Sequence, residues 1–161
     1  MKNVVLLAVL FVVVWTSCSP GFFFQDEKEI KGGQWSYRDT VDFSFVIQDT
    51  SVLYNLYVDI THADTFPNQN IYVKLYTKFP DGKRLSKTCS FDFFDAQGHL
   101  NGTSSGHSCR LHALLQANAF FKDPGTYAIT LEQFMRRDPV GGVNKVGLSV
   151  EKTAAKRAGK Q

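Results

Sequence analysis

This 161-residue chain has no run of apolar residues long enough to cross a bilayer, no segment of ordinary length with the period of an amphipathic helix, and no large excess of charge. A spanning helix needs about 20 apolar residues. The longest run here, Val4 to Trp15, ends at Thr16 and Ser17. The missing 3.6-residue period argues against helical bundles and α/β layers. The formal net charge is only +3. Lys152, Lys156, Arg157 and Lys160 face Glu151 alone in the tail, so the body of the chain has no basic surplus and no nucleic-acid surface. Cysteine is scarce at three residues, an odd count that an exported protein has to explain. Disorder is excluded for most of the chain by 14 phenylalanines and a hydrophobic share of 43%.

The N-terminus is informative. Lys2 gives a short positive start, Val4 to Trp15 an apolar core, and Thr16-Ser17-Cys18 a close of small residues before a cysteine. That is a secretory signal peptide over 1–17, ending in a lipobox-like site. Cys18 becomes the lipid-modified first residue of the mature protein, which is held to a membrane through it. Two or three acyl chains make such an anchor effectively permanent, whereas one gives a binding constant of only about 10⁴ M⁻¹. Lipidation leaves Cys89 and Cys109. A disulfide between them would close a loop of about 21 residues and contribute about 3 kcal/mol; the alternative is two free thiols.

Residues 18–34 read as a tether with one sticky patch, Phe22-Phe23-Phe24, followed by charged Gln25 to Lys31 and the flexible pair Gly32-Gly33. From Trp35 onward the period is two. Val41, Phe43, Phe45 and Ile47 alternate with Asp42, Ser44 and Gln48, as in a half-buried strand, with Val46 the exception. Leu53 to His62 repeats the pattern, with Tyr54, Leu56, Val58 and Ile60 on one face. Ile71 to Phe79 is the cleanest strand. Pro80-Asp81-Gly82-Lys83 is a turn in which proline presets φ and glycine takes the positive φ. It reverses the chain into Arg84 to Phe94. Further extended stretches follow at Ser108–Gln116, Thr126–Phe134 and Val143–Val150, separated by Asp95–Gly98 and Asp123-Pro124-Gly125. About eight strands with frequent turns predict an all-β fold, an antiparallel β-sandwich of jelly-roll type over 35–152, with a basic flexible tail at 153–161.

Candidate chemistry is sparse. His107-x-Cys109-x-x-His112 offers three zinc-ligand types but no second cluster, so no metal is assigned. A nucleophile built on Cys109 and a histidine has nothing to orient either group. Asp59, His62 and Asp64 could form an acid/base set, yet alternation sends Asp59 and His62 to opposite faces and a solvated strand end is the simpler reading. Outward Tyr57, Tyr72 and Tyr76 could stack on sugar rings, making a glycan a second-choice ligand; cross-strand pairing is preferred. The best partner-contact segment is Glu132-Gln133-Phe134-Met135-Arg136-Arg137, which leaves the strand pattern and mixes apolar with charged groups.

Several motifs together carry a family resemblance. Tyr54-Asn55-Leu56-Tyr57-Val58, His62 with Phe66-Pro67 and Asn70-Ile71-Tyr72, and Phe79-Pro80-Asp81-Gly82-Lys83 follow the lipobox. Pro124-Gly125-Thr126-Tyr127, Leu131 to Arg136 with Pro139, and Val146 to Lys152 close the pattern. From Trp35 to Lys152 the chain resembles the GldH family of gliding-motility lipoproteins of Bacteroidota. Trp15, Gly141 and the Cys89/Cys109 pair depart from that pattern. The resemblance implies a cell-envelope lipoprotein associated with gliding motility and the linked protein-secretion machinery. Its partners would be envelope proteins of that apparatus, and its membrane the outer in preference to the inner. The family brings no catalytic residue or cofactor, so the expected role is non-enzymatic. Asp39-Thr40-Val41 also resembles the acidic-residue–Thr–aliphatic acceptor of O-glycosylation in that phylum.

Overall fold

A computed structural model describes residues 22–156. In chain order the strands are β1 (Phe22–Glu29), β2 (Gln34–Trp35), β3 (Val41–Ile47), β4 (Val52–Ala63), β5 (Asn70–Lys78), β6 (Arg84–Asp92), β7 (Thr103–Ser105), β8 (Ser108–Ala119), β9 (Gly125–Gln133), β10 (Val140–Gly141) and β11 (Val143–Lys156). One sheet has the order β1-β11-β4-β8-β7, the other β3-β9-β5-β6, and β2 pairs with β10 apart from both. Every pairing is antiparallel. Of the eight long strands, the first, eighth, third and sixth share one sheet, and the second, seventh, fourth and fifth the other. That is jelly-roll connectivity, and the all-β sandwich expected from the period of two is the fold observed.

Alternation explains the core. In β3 Val41, Phe43, Phe45 and Ile47 are buried while Asp42, Ser44 and Val46 are exposed. Val46 lies outward because the register with β9 leaves it no other face. The β5–β6 hairpin turns where proline and glycine demand it. Gly82 takes φ +85°, Phe79 and Lys83 close the loop by a 2.9 Å backbone bond, and Asp81 Oδ1 accepts from the Lys83 N–H at 2.9 Å.

The two ends of the sandwich differ. One holds the 48–51, 79–83 and 120–124 connections together with Phe22 and Lys156. There Tyr54 and Tyr127 sit in an aromatic cluster with Phe45 and Phe121, and their hydroxyls donate to the Asp49 and Asp123 carbonyls at 2.7 and 2.8 Å. The opposite end holds Trp35, His62, Phe66 and Phe93, beneath the 64–69 and 134–139 loops.

Two expectations are corrected, and of the two alternatives left open for the cysteines the free thiols are the one observed. The expected tether over 18–34 is, from Phe22 to Glu29, strand β1, paired with β11 from Phe22↔Glu151 to Glu29↔Lys145. Three consecutive phenylalanines followed by the charged Asp26, Glu27, Lys28 and Glu29 hid its period. The expected tail begins too early, because β11 runs to Lys156, opposite Val52. Cys89 and Cys109 are free thiols. They lie on β6 and β8, in opposite sheets. Residues 1–17 and Cys18 lie outside the described residues.

Candidate functional site

A groove of about 950 Å³ opens at the end of the sandwich remote from Phe22. Its first wall is the chain leaving β9. Gln133, fully buried, shapes that wall: its Oε1 accepts from the Met135 N–H at 2.9 Å, and its Nε2 donates to the Arg137 carbonyl and Asp138 Oδ1 at 3.3 Å. The Phe134 N–H donates to the Tyr72 carbonyl at 2.8 Å, and the Tyr72 N–H to Met135 Sδ at 3.2 Å. Tyr37 braces the loop from outside, its hydroxyl on the Met135 carbonyl and its N–H 2.9 Å from Asp138 Oδ1. Held this way, Phe134 keeps half its surface in solvent, with Lys74 Nζ 5.6 Å from its ring centroid.

The structure thus divides the segment 132–137. Phe134, Met135, Arg136 and Arg137 line the groove, while Gln133 is turned inside and Glu132 accepts from the Tyr76 hydroxyl at 2.7 Å. Tyr72, Phe66, Pro67 and Asn68 complete the near wall; Gln34, Val140, Gly141 and Gly142 form the far one. Sequence reading missed that far wall because β2 and β10 are two residues each and pair across about a hundred positions. Outward Tyr72, next to the Phe66-Pro67 turn, was the available signal for the near wall.

A second cluster lies on the outer face of the five-stranded sheet. Asp59 accepts from Ser149 Oγ at 2.7 Å, with His112 Nδ1 at 2.8 Å and Arg110 Nη2 at 3.3 Å. Arg110 reaches Glu27 of β1 at 3.4 Å, and Lys145 reaches the same carboxylate at 3.4 Å. Tyr57 stacks on His112 at 4.4 Å, with Phe22 edge-on at 5.9 Å. Asp59 therefore ties β4 to β8 and β11 beneath a lid of side chains. Ser149 and His112 both address the carboxylate and not each other, which is a structural knot and not a nucleophile with its base. Gly147 makes room for it. A Cβ there would lie 3.0 Å from the Asp26 carbonyl oxygen and 3.2 Å from Asp59 Cβ.

The solvated strand end expected for Asp59 and His62 is corrected: they are 2% and 1% exposed. They do face opposite ways. Asp64 instead meets His107, 2.9 Å from its Nδ1. The His107-x-Cys109-x-x-His112 spacing is split by the strand, with Cys109 buried, His112 on the outer face and His107 in the turn. Among the described residues no group of three His, Cys, Asp or Glu side chains is placed to hold a metal ion. Of the three tyrosines considered for sugar stacking, Tyr57 is covered by His112 and Tyr76 is bonded to Glu132, while Tyr72 is 45% exposed.

His62 gives a pH prediction. Its Nδ1 lies 2.8 Å from the Ala63 carbonyl, its ring is 4.0 Å from that of Phe93, and Nε2 is buried without a partner. Burial lowers its pKa below the usual 6.5. The unfolded chain then takes up the proton more readily, so stability is complete above the unfolded value and falls as pH drops through it. The slope is at most about 1.4 kcal/mol per pH unit. Denaturant unfolding between pH 7.5 and 5.5 should show this loss in the wild type and a smaller one in His62→Phe. Equal losses would remove His62 as the source.

The GldH lipoprotein family matches residues 23–150. A protein of Christiangramia forsetii named gliding motility lipoprotein GldH homolog is 22% identical over 156 residues, covering 92% of this chain and 95% of its own. Gliding motility lipoprotein GldH of Flavobacterium johnsoniae is 22% identical over 152 residues, covering 90% and 94%. Among solved structures, a chain of the infectious bursal disease virus VP2 subviral particle gives a TM-score of 0.35 at 14% identity, over 79% of this chain and 29% of that one. The family match begins inside β1 and ends in β11, so it takes in both sheets of the sandwich, and on it the chain belongs to the GldH lipoprotein family.

Proposed function

We propose that this protein is anchored in the outer membrane by acyl chains on Cys18. There it serves gliding motility and the associated protein-secretion machinery as a non-enzymatic interaction component. Its contact surface is the groove lined by Phe134 to Arg137. The observation that carries this reading is the composition of that groove: an aromatic ring held half in solvent, a methionine and an open tyrosine, beside two exposed arginines. Aromatic, Met and Arg side chains are the types enriched in protein interfaces. Two relatives are named for gliding motility, which supports the motility part of this reading. Glycan stacking is the weaker reading, since Tyr57 and Tyr76 are already engaged within the sheet.

Crosslinking in cells, followed by identification of the captured envelope proteins, tests it. Phe134→Ala combined with Arg136→Glu should lower capture more than tenfold, as loss of two central contacts of about 2 kcal/mol each would. Both residues are exposed, so the melting temperature should hardly change. Undiminished capture by the double variant would sink the groove as the contact surface. Cys18→Ala should release the chain from membranes; its retention would sink the anchor.

A further inference from the structure

Chain direction and charge together give the sandwich a polarity. Phe22 and Lys156 both sit at the end opposite the groove. Cys18 precedes Phe22 by four residues, a reach of at most about 14 Å. The lipidated cysteine must therefore enter the bilayer next to this end, and the groove stands roughly the length of β4 away. Twelve residues at about 3.3 Å each make that about 40 Å.

The same end is basic. Lys78, Lys83, Arg84, Lys122, Lys152 and Lys156 are exposed there, against Asp49, Asp81, Asp123 and the half-buried Glu151 opposite Phe22. The sequence continues with Arg157 and Lys160. Leu85, 65% exposed, stands among these cations beside the 79–83 turn. At the groove end there is no basic surplus: Asp39, Asp64, Asp92, Asp95 and Asp138 stand against Lys31, Arg38, Arg136 and Arg137.

We infer that the end carrying the 79–83 and 120–124 turns and the Lys152–Lys156 strand terminus is a second membrane contact. It binds the anionic phospholipid headgroups of the leaflet that holds the anchor, so that the sandwich stands upright with its groove facing away. Basic side chains at a bilayer surface and an acyl chain act additively. The cations then contribute less to retention, already secured by the lipid, than to orientation. A tethered sandwich without them would lie at any angle and bury its groove part of the time. This inference rests on Cys18 being the anchor.

The test uses the full lipidated protein in vesicles of phosphatidylethanolamine and phosphatidylglycerol carrying a photoactivatable phosphatidylglycerol headgroup. Crosslinks should map to 78–87, 120–123 and 150–156 and be absent from 65–69 and 134–142. Lys83→Glu with Lys152→Glu and Lys156→Glu should cut that yield at least tenfold, at roughly fivefold per cation, with retention unchanged after a salt wash. Retained protein that crosslinks along its groove end, or equally after charge reversal, overturns the orientation and leaves the anchor standing. Wild-type protein removed by salt overturns the anchor and the orientation with it.

Discussion

A form of the chain that begins at Trp35 will fail to unfold cooperatively, whereas one that begins at Phe22 will melt in a single transition. The difference is strand β1. It supplies seven register pairs to β11, and without them β11 becomes the sheet edge, with a row of open N–H and C=O groups. Val146 to Val150 are all buried, because β1 and the Asp59 cluster close the side that faces away from the other sheet. Phe24 packs on Phe45 at 5.4 Å and Phe23 on Tyr54 at 5.7 Å; both are partly buried, so each contributes less than the about 1.5–3 kcal/mol of a fully buried phenylalanine. Glu27 also holds Arg110 and Lys145. The combined loss rivals the total stability of an ordinary domain, about 5–15 kcal/mol, and the exposed hydrophobic edge invites aggregation. Calorimetry with circular dichroism decides it. A Trp35-start form that melts at the same temperature as the Phe22-start form would restore the tether.

What was legible in the residues follows from which faces meet water. Strands β3, β5 and β9 bury one face and wet the other, so hydrophobic alternation located them and the sandwich followed. β1 has three consecutive phenylalanines and then a charged run, and no period marks it. Its pairing is fixed by β11, more than a hundred positions away. The end of β11 is lysine- and alanine-rich and polar enough to pass for a tail, yet it stays paired with β4, across a register shift between Lys152 and Lys156. Asp59 is the same problem at one site. Its partners His112 and Ser149 are 53 and 90 positions distant, so its burial could not be read from its neighbours, only its face. The groove was half visible. Phe134 to Arg137 break the strand pattern locally, whereas the far wall arises from two short strands that only the closed fold brings together.

That far wall makes Trp35→Ala the most damaging single core substitution for the groove. Trp35 is fully buried, donates its indole N–H to the Asp39 carbonyl at 2.8 Å, and pairs opposite Val140. Truncation opens a cavity at a cost of about 3–5 kcal/mol, a fall in melting temperature of roughly 10–20 °C for a domain of this size. The effect reaches beyond stability, because the neighbouring pair Gln34↔Gly141 forms part of the groove. Trp35→Ala should therefore lose partner capture and stability together, whereas Phe134→Ala with Arg136→Glu loses capture alone. Trp35→Phe refills most of the volume and gives up only the indole hydrogen bond, about 1 kcal/mol, so it should recover most of the lost melting temperature and the capture with it. If Trp35→Ala melts within a few degrees of wild type, the β2–β10 pair is not braced through the indole. The groove would then have to be held by the Gln133 and Tyr37 contacts to the 134–138 loop alone.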